Sequence, residues 1–286
     1  MRRCAFLTMD DMSDFVTDAD MSIPPMNALG WDVHMVPWRT PDADWDRFEL
    51  VYIGTPWDYP DDAERFLRVL EEIDRSRATL VNSLDVVRWN LKKTYLRELE
   101  SRGAAIVPSL WYTCFDEFDV DEAFARHASN SLVAKPVIGA NAADTFVLDR
   151  PADSQIMDML ATAYDARPFF VQPFIESIRT EGEYSLFFFH GRYSHAILKL
   201  PEAGDFRTQE EHGAEILAVE PPVGLESTAR DIVEMVEPQP VYVRADFVRG
   251  DDEFLLMELE LIEPSLYLRM HDGAAERFAA SLTEGL

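Results

Sequence analysis

The segments Arg244-Ala245-Asp246-Phe247 and Met257-Glu258-Leu259-Glu260-Leu261-Ile262-Glu263-Pro264 hold the side chains best suited to chemistry. Successive residues of a β-strand alternate faces, so Glu258 and Glu260 point to the same side, and a paired strand can bring Asp246 onto it. Three carboxylates on one face repel one another unless a cation neutralises them, and oxygen donors of this kind suit Mg²⁺ carried with a nucleotide phosphate. A solvated acidic sheet face would have the same spacing.

The lysines are the second signal, because the chain has only four against 22 arginines. Lys92 and Lys93 open a helical stretch, Lys135 ends the strand-like run Leu132-Val133-Ala134-Lys135-Pro136, and Lys199 ends another. A lysine at a strand end ahead of the loop Val137 to Ala142 can reach nucleotide phosphates, although that loop carries only Gly139 and the chain has no Walker motif. Taken singly, each lysine is more often a surface charge.

These residues need strands and helices to hold them. Strands are predicted at Arg3 to Thr8, Asp32 to Pro37, Leu50 to Ile53 and Thr79 to Val81, with an amphipathic helix over Asp61 to Arg77 whose Phe66, Leu67, Leu70 and Ile73 share a face. A short helix opened by Pro24 and Pro25 and closed by Gly30 completes an open α/β layer. A helix from Leu91 to Arg102, closed by Gly103, leads into strands at Leu110 to Thr113, Leu132 to Pro136, Thr145 to Leu148 and Phe169 to Gln172, with helices at Val120 to His127 and Ser154 to Ala163. The last third reads as a hairpin, Tyr184 to Phe189 and Tyr193 to Leu200 around His190-Gly191. A second strand pair follows, Val241 to Val248 and Glu253 to Leu259, and then a closing helix, Ala274 to Leu282.

Composition narrows the function. A formal charge of −27 over 286 residues argues against a nucleic-acid partner, because phosphate backbones are bound by cationic surfaces. Cys4 and Cys114 lie in separate predicted strands at no metal or redox spacing and read as inert core residues; the six histidines form no cluster. The apolar runs are too short for a membrane helix and the N-terminus lacks a signal sequence, so a soluble, cytoplasmic protein is expected.

The order of segments resembles the ATP-grasp superfamily. Asn90 to Leu96 (NLKKTYL), Gly103 with Val107-Pro108, Val133 to Pro136 (VAKP), Val171 to Ile175 (VQPFI), Glu181 to Ser185 (EGEYS), Gly204 to Gln209 (GDFRTQ), Arg244-Ala-Asp246 and Glu258-Leu-Glu260 look like its successive motifs, spanning residues 90 to 265. Trp57-Asp58-Tyr59 and the block Glu258 to Leu266 look like the glutathione synthetase-like branch that includes the cycloserine-forming O-ureido-serine cyclo-ligases. Departures are Glu260, where many relatives have Asn, and Gly54, where the subgroup often has Arg.

The resemblance implies an α/β chain, α+β in its C-terminal part, with the ATP-grasp fold behind an N-terminal open α/β pre-ATP-grasp domain. The expected divisions are 1–88, a small lid-like subdomain with its connecting helix at 89–175, and a metal-bearing C-terminal subdomain at 176–286. It implies that ATP is held by Lys93 and Lys135 at the phosphates, by Gln172, Phe174 and Ile175 at adenine, and by Glu183 at ribose. It further implies that Mg²⁺, two ions by analogy, is held by Asp246, Glu258 and Glu260. Arg207 and Arg244 look catalytic, Arg207 through charge on the transferred phosphoryl group; His212-Gly213 are weaker candidates for substrate binding. The implied reaction activates a small amino-acid-like carboxylate as an acyl phosphate for an amine-type nucleophile, either within one molecule, as in cycloserine formation, or between two. A small-molecule kinase and a non-catalytic ATP-binding module are the rival readings.

Overall fold

The computed structural model describes residues 1–286 and contains three sheets. The first is parallel, in the order β2-β1-β3-β4, from β1 (Arg2–Thr8), β2 (Trp31–Pro37), β3 (Leu50–Thr55) and β4 (Thr79–Val81). Between these strands run α1 (Ile23–Ala28), with prolines in its first turn, and α2 (Ala63–Arg75). The helix α2 forms because Asp62 caps it, accepting from the Arg65 N–H at 3.1 Å, and because Phe66, Leu70 and Ile73 fall on one buried stripe.

Two short helices follow, α3 (Leu84–Asn90) and α4 (Tyr95–Ser101). The helix expected from Leu91 to Arg102 is therefore corrected: an unexpected α3, capped by Ser83, ends at Asn90, residues 91–94 are not helical, and α4 begins only at Tyr95. The break sends Asn90, Lys93 and Tyr95 toward the C-terminal strands. The second sheet, antiparallel in the order β5-β8-β6-β7, comprises β5 (Leu110–Tyr112), β6 (Ser131–Pro136), β7 (Phe146–Asp149) and β8 (Phe169–Pro173), packed on α5 (Val120–His127) and α6 (Ser154–Ala163) through Phe124, Leu160, Tyr164 and Phe169. Cys4 is buried as expected, but Cys114 is only partly buried and caps a short 3-10 turn instead of lying in a strand.

After the single turn α7 (Ser177–Thr180) comes the third sheet, antiparallel in the order β11-β10-β9-β12-β13: β9 (Glu183–Phe189), β10 (Arg192–Leu200), β11 (Glu215–Val219), β12 (Tyr242–Arg249) and β13 (Phe254–Glu260). The β9–β10 turn places His190 at φ +48° and Gly191 at φ +68°, the conformation a two-residue hairpin with right-handed twist requires. Four elements have no counterpart in the sequence-based expectations, α3, α7, β11 and α8 (Leu225–Glu234); α9 (Ala274–Thr283) ends the fold.

One face of this sheet is a continuous apolar core. There Leu186, Phe188, Val243, Ala245 and Leu259 pack on α3, α4 and α8 through Val86, Leu96, Leu99, Leu225 and Val233. The opposite face changes chemistry along its strands. At one end Phe187, Phe189, Ile197 and Tyr242 pack on Phe278 of α9 and on Cys4, Phe6 and Tyr52 of the first sheet. At the other end the same face carries Glu183, Ser185, Lys199, Arg244 and Asp246, which follow those residues at the two-residue period.

Buried Asn82, just after β4, ties the first sheet to the third. Its Nδ2 donates to the carbonyls of Tyr242 and Leu261, both at 2.9 Å, and its Oδ1 accepts from the Val241 N–H at 2.5 Å. Asn82→Ala strands those buried groups and is expected to cost about 2–4 kcal/mol in urea unfolding; a loss under about 1 kcal/mol would mean that the joint is held elsewhere. No helix is long and apolar enough to cross a membrane.

Candidate functional site

The second and third sheets face each other across a cleft, and every residue singled out from the sequence for nucleotide, metal or catalytic roles lines it. Lys135, Gln172, Phe174 and Ile175 line it from the second sheet and the segment after β8; Glu183, Arg244, Asp246, Glu258 and Glu260 come from the third; Lys93 and Arg207 come from the connecting segments. His212 is not among the lining residues.

The carboxylates sit where strand pairing dictates. Asp246 lies opposite Glu258, and Arg244 opposite Glu260. Strand β13 is the sheet edge, and side chains complete its hydrogen bonding: Tyr95 Oη donates to the Leu259 carbonyl at 3.0 Å and accepts from its N–H at 2.8 Å, and Asn90 bonds the Leu259 carbonyl and the Leu261 N–H at 2.8 and 3.1 Å. With the backbone of Leu259 held from both directions, Glu258 and Glu260 are fixed on the cleft side.

Charge balance in the cleft differs from the expectation of three acids sharing only a metal as their counter-charge. No trio of His, Cys, Asp or Glu stands grouped to hold an ion. Lys93 Nζ instead donates to Glu258, and Arg244 donates to both oxygens of Asp246 at 3.0 to 3.1 Å and to Glu260. Ser185 Oγ donates to Asp246 at 2.5 Å. Burial opposes ionisation of Asp246, yet Arg244 and Lys199 hold its pKa below the usual range. Glu260 is pushed up to about 7 by burial, with Arg244 opposing and Glu258 and Asp246 adding. The donors are nonetheless hard carboxylate oxygens on one face, the chemistry Mg²⁺ takes, provided Lys93 and Arg244 yield their contacts.

Lys199, noted in the sequence only as one of four scarce lysines, is given no site role there, and the structure supplies one. Its ammonium is buried between Glu183, which it bonds directly, and Asp246 at 3.6 Å, with side chains only 4 to 7 % exposed in the trio. Burial disfavours the charge, but Asp246 and Glu183 keep its pKa above that of a free lysine. Thr208 Oγ1 donates to the other oxygen of Glu183 at 2.9 Å. The preceding glycine permits this packing: Gly182 has φ +103°, and a Cβ there would lie 2.7 Å from the Lys199 carbonyl oxygen. The available signal was a rare lysine on the same strand face as Ile197.

Lys135 is the contrasting case, with no ion-pair partner: burial pushes its pKa down, and Glu258 and Glu183 offset this only partly. Gln172 Nε2 donates to Ser109 Oγ at 3.0 Å, and its Oε1 accepts no bond within the chain. Arg207 is aimed by Asp205, whose carboxylate takes three bonds from the guanidinium at 2.7 to 3.2 Å and one from the Arg207 N–H at 3.0 Å. Glu263, at the cleft floor beside Tyr59, is pushed well above the usual carboxylate range by burial and then by Glu260. Gly54 has its own local reason, since a Cβ would sit 2.8 Å from the Leu7 carbonyl oxygen.

Residues 4–82 match the family model described as D-cycloserine synthetase DcsG, N-terminal domain. The chain is 30% identical to the cycloserine biosynthesis protein DcsG of Streptomyces lavendulae, over 95% of this chain and 97% of that protein. The crystal structure of D-cycloserine synthetase DcsG superposes with a TM-score of 0.83 at 27% identity, covering 98% of each chain. A D-alanine–D-alanine ligase from Bacillus anthracis shares the fold, with a TM-score of 0.70 at 14% identity over 99% of this chain and 96% of the other.

Proposed function

Because this chain belongs to the family of the D-cycloserine synthetase DcsG, and so is an ADP-forming ATP-grasp ligase, we propose that it activates a small amino-acid-like carboxylate for intramolecular ring closure. One observation carries the reading: three of only four lysines, two arginines and the three candidate metal carboxylates line one cleft in a chain of charge −27.

In this reading Gln172, Phe174 and Ile175 hold the adenine and Glu183 the ribose. Lys93 and Lys135 take the phosphates from opposite sides. Asp246, Glu258 and Glu260 would hold Mg²⁺, which supplies positive charge against the phosphates; related ATP-grasp ligases have been crystallised with Mg and ADP or with ATP. A substrate carboxylate oxygen attacks the γ-phosphorus, the bond to the β-phosphate oxygen breaks, and ADP leaves. Arg207, held by Asp205, and Arg244 face the charge that moves. A nitrogen lone pair on the same substrate then attacks the carbonyl carbon, phosphate departs with the C–O electrons, and the nitrogen loses a proton. We divide the chain at residues 1–88, 89–175 and 176–286; the separate sheet of β5 to β8 supports reading the middle unit as lid-like.

The decisive experiment supplies ATP, Mg²⁺ and a panel of O-substituted serines in the presence of hydroxylamine. A hydroxamate and ADP are expected with hydroxylamine, and a cyclised product without it. ADP with a stable phosphorylated product and no hydroxamate would establish a kinase, and a linear amide would establish intermolecular ligation.

A further inference from the structure

A smaller cavity opens beside the cleft. The two share Lys199, Gln209, Arg244, Glu260 and Glu263, while Trp57, Glu211 and Tyr267 line the smaller one alone. It thus joins the reacting end of the nucleotide cleft to Trp57, which follows β3 of the first sheet and donates to the Glu263 carbonyl at 2.9 Å.

Its polar groups are unevenly satisfied. Glu183, Asp246, Glu258 and Glu260 each have a cation at ion-pair distance, whereas Glu263 has none and is met only by the Tyr59 hydroxyl. The carboxylate of Glu211 accepts only the Val16 N–H, at 3.3 Å. The Gln209 carboxamide makes no hydrogen bond, and its Oε1 is buried without a partner. Buried acceptors without donors are costly, and a bound donor removes the cost. Arg244 and Lys199 line the same space and bring positive charge to it, shared with Glu183, Asp246 and Glu260. Acceptors and cations lining one small space match a zwitterion, with its ammonium toward Glu263 and Gln209 and its carboxylate toward Arg244 and the nucleotide.

We infer that Glu263 and Gln209 are specificity-determining residues that bind the α-ammonium group of the acceptor, separately from the nitrogen that reacts. The inference rests on the ligase reading and refines it. The α-ammonium is a handle that fixes which carboxylate enters the cleft, and a site built to accept its protons rejects an analogue without it, because the acceptors are then left unpaired.

The test is phosphate release from ATP and Mg²⁺ with α-amino acids and O-substituted serines of both configurations, each paired with the counterpart bearing hydrogen in place of the α-amino group. The wild-type protein is expected to favour an amino acid over its desamino partner at least about 10²-fold in kcat/KM. Glu263→Gln and Gln209→Leu should each raise KM for the amino acid about tenfold or more, leave the desamino value and ADP affinity unchanged, and so narrow the ratio. Should Glu263→Gln fail to fold, Gln209→Leu, on a loop outside the strands, decides alone. An unchanged ratio in the folded variants overturns the inference, as does equal wild-type use of desamino acids. So does binding of ADP with no amino acid turned over. Wild-type protein that binds no ADP would instead overturn the ligase reading.

Discussion

Glu258→Gln is expected to lower ATP turnover at least about 10²-fold, the scale of losing one preorganised electrostatic group, while the fold survives. Glu258 lies on the edge strand with its side chain 31% exposed and a single ion pair, to Lys93, so the amide replaces a charge without orphaning a buried network. Asp246→Asn is the less clean experiment, because Asp246 is fully enclosed by Arg244, Ser185 and Lys199, and its neutralisation perturbs stability together with chemistry. The measurement is steady-state ADP release at saturating Mg²⁺ alongside a thermal melt. Wild-type turnover in folded Glu258→Gln protein would remove Glu258 from the metal ligands.

Lys199→Met and Lys135→Ala are expected to separate two cleft lysines with opposite purposes, one buried and one half-buried. Lys199 neutralises Glu183 and Asp246 in the interior, so its loss leaves two carboxylates without their shared cation and should cost about 3–5 kcal/mol. That corresponds to a melting temperature lower by on the order of 10 °C. Nucleotide binding should fall with it, because Glu183 and Asp246 lose their positions. Lys135 has no ion-pair partner and burial already disfavours its charge. Lys135→Ala should therefore melt at or above the wild-type temperature, yet bind ATP at least about tenfold more weakly, since a cation held ready for phosphate is gone. Calorimetric titration with ATP and melts of both variants check this. Unchanged ATP affinity in Lys135→Ala would contradict its place at the phosphates, and an unshifted melt in Lys199→Met would contradict its role in the fold.

Much of this site was legible because strand chemistry is periodic. Alternation alone predicts that Glu258 and Glu260 share a face, and the pairing of β12 with β13 then puts Asp246 opposite Glu258. The scarcity of lysine marked Lys93 and Lys135, and the order of short motifs carried the fold. Helix α2 was readable from its acidic start, its arginine-rich end and its apolar stripe. The break after α3 was not, since residues 91–94 have no proline or glycine to announce it. Nor was β11, an edge strand whose burial is only partial and whose alternation is correspondingly weak.

What the sequence alone determined, then, is the set of reactive groups and the strand face on which each lies, because both follow from residue type and a period of two. Only the tertiary structure decided which charges meet. Lys93 reaches Glu258 across 165 positions of chain, Asn90 and Tyr95 complete the edge of a strand far along the sequence, and Lys199 becomes a buried keystone between two acids. Those partnerships depend on sheet order and register, which arise from packing whole elements together and leave no local trace in the residues that come to share a contact.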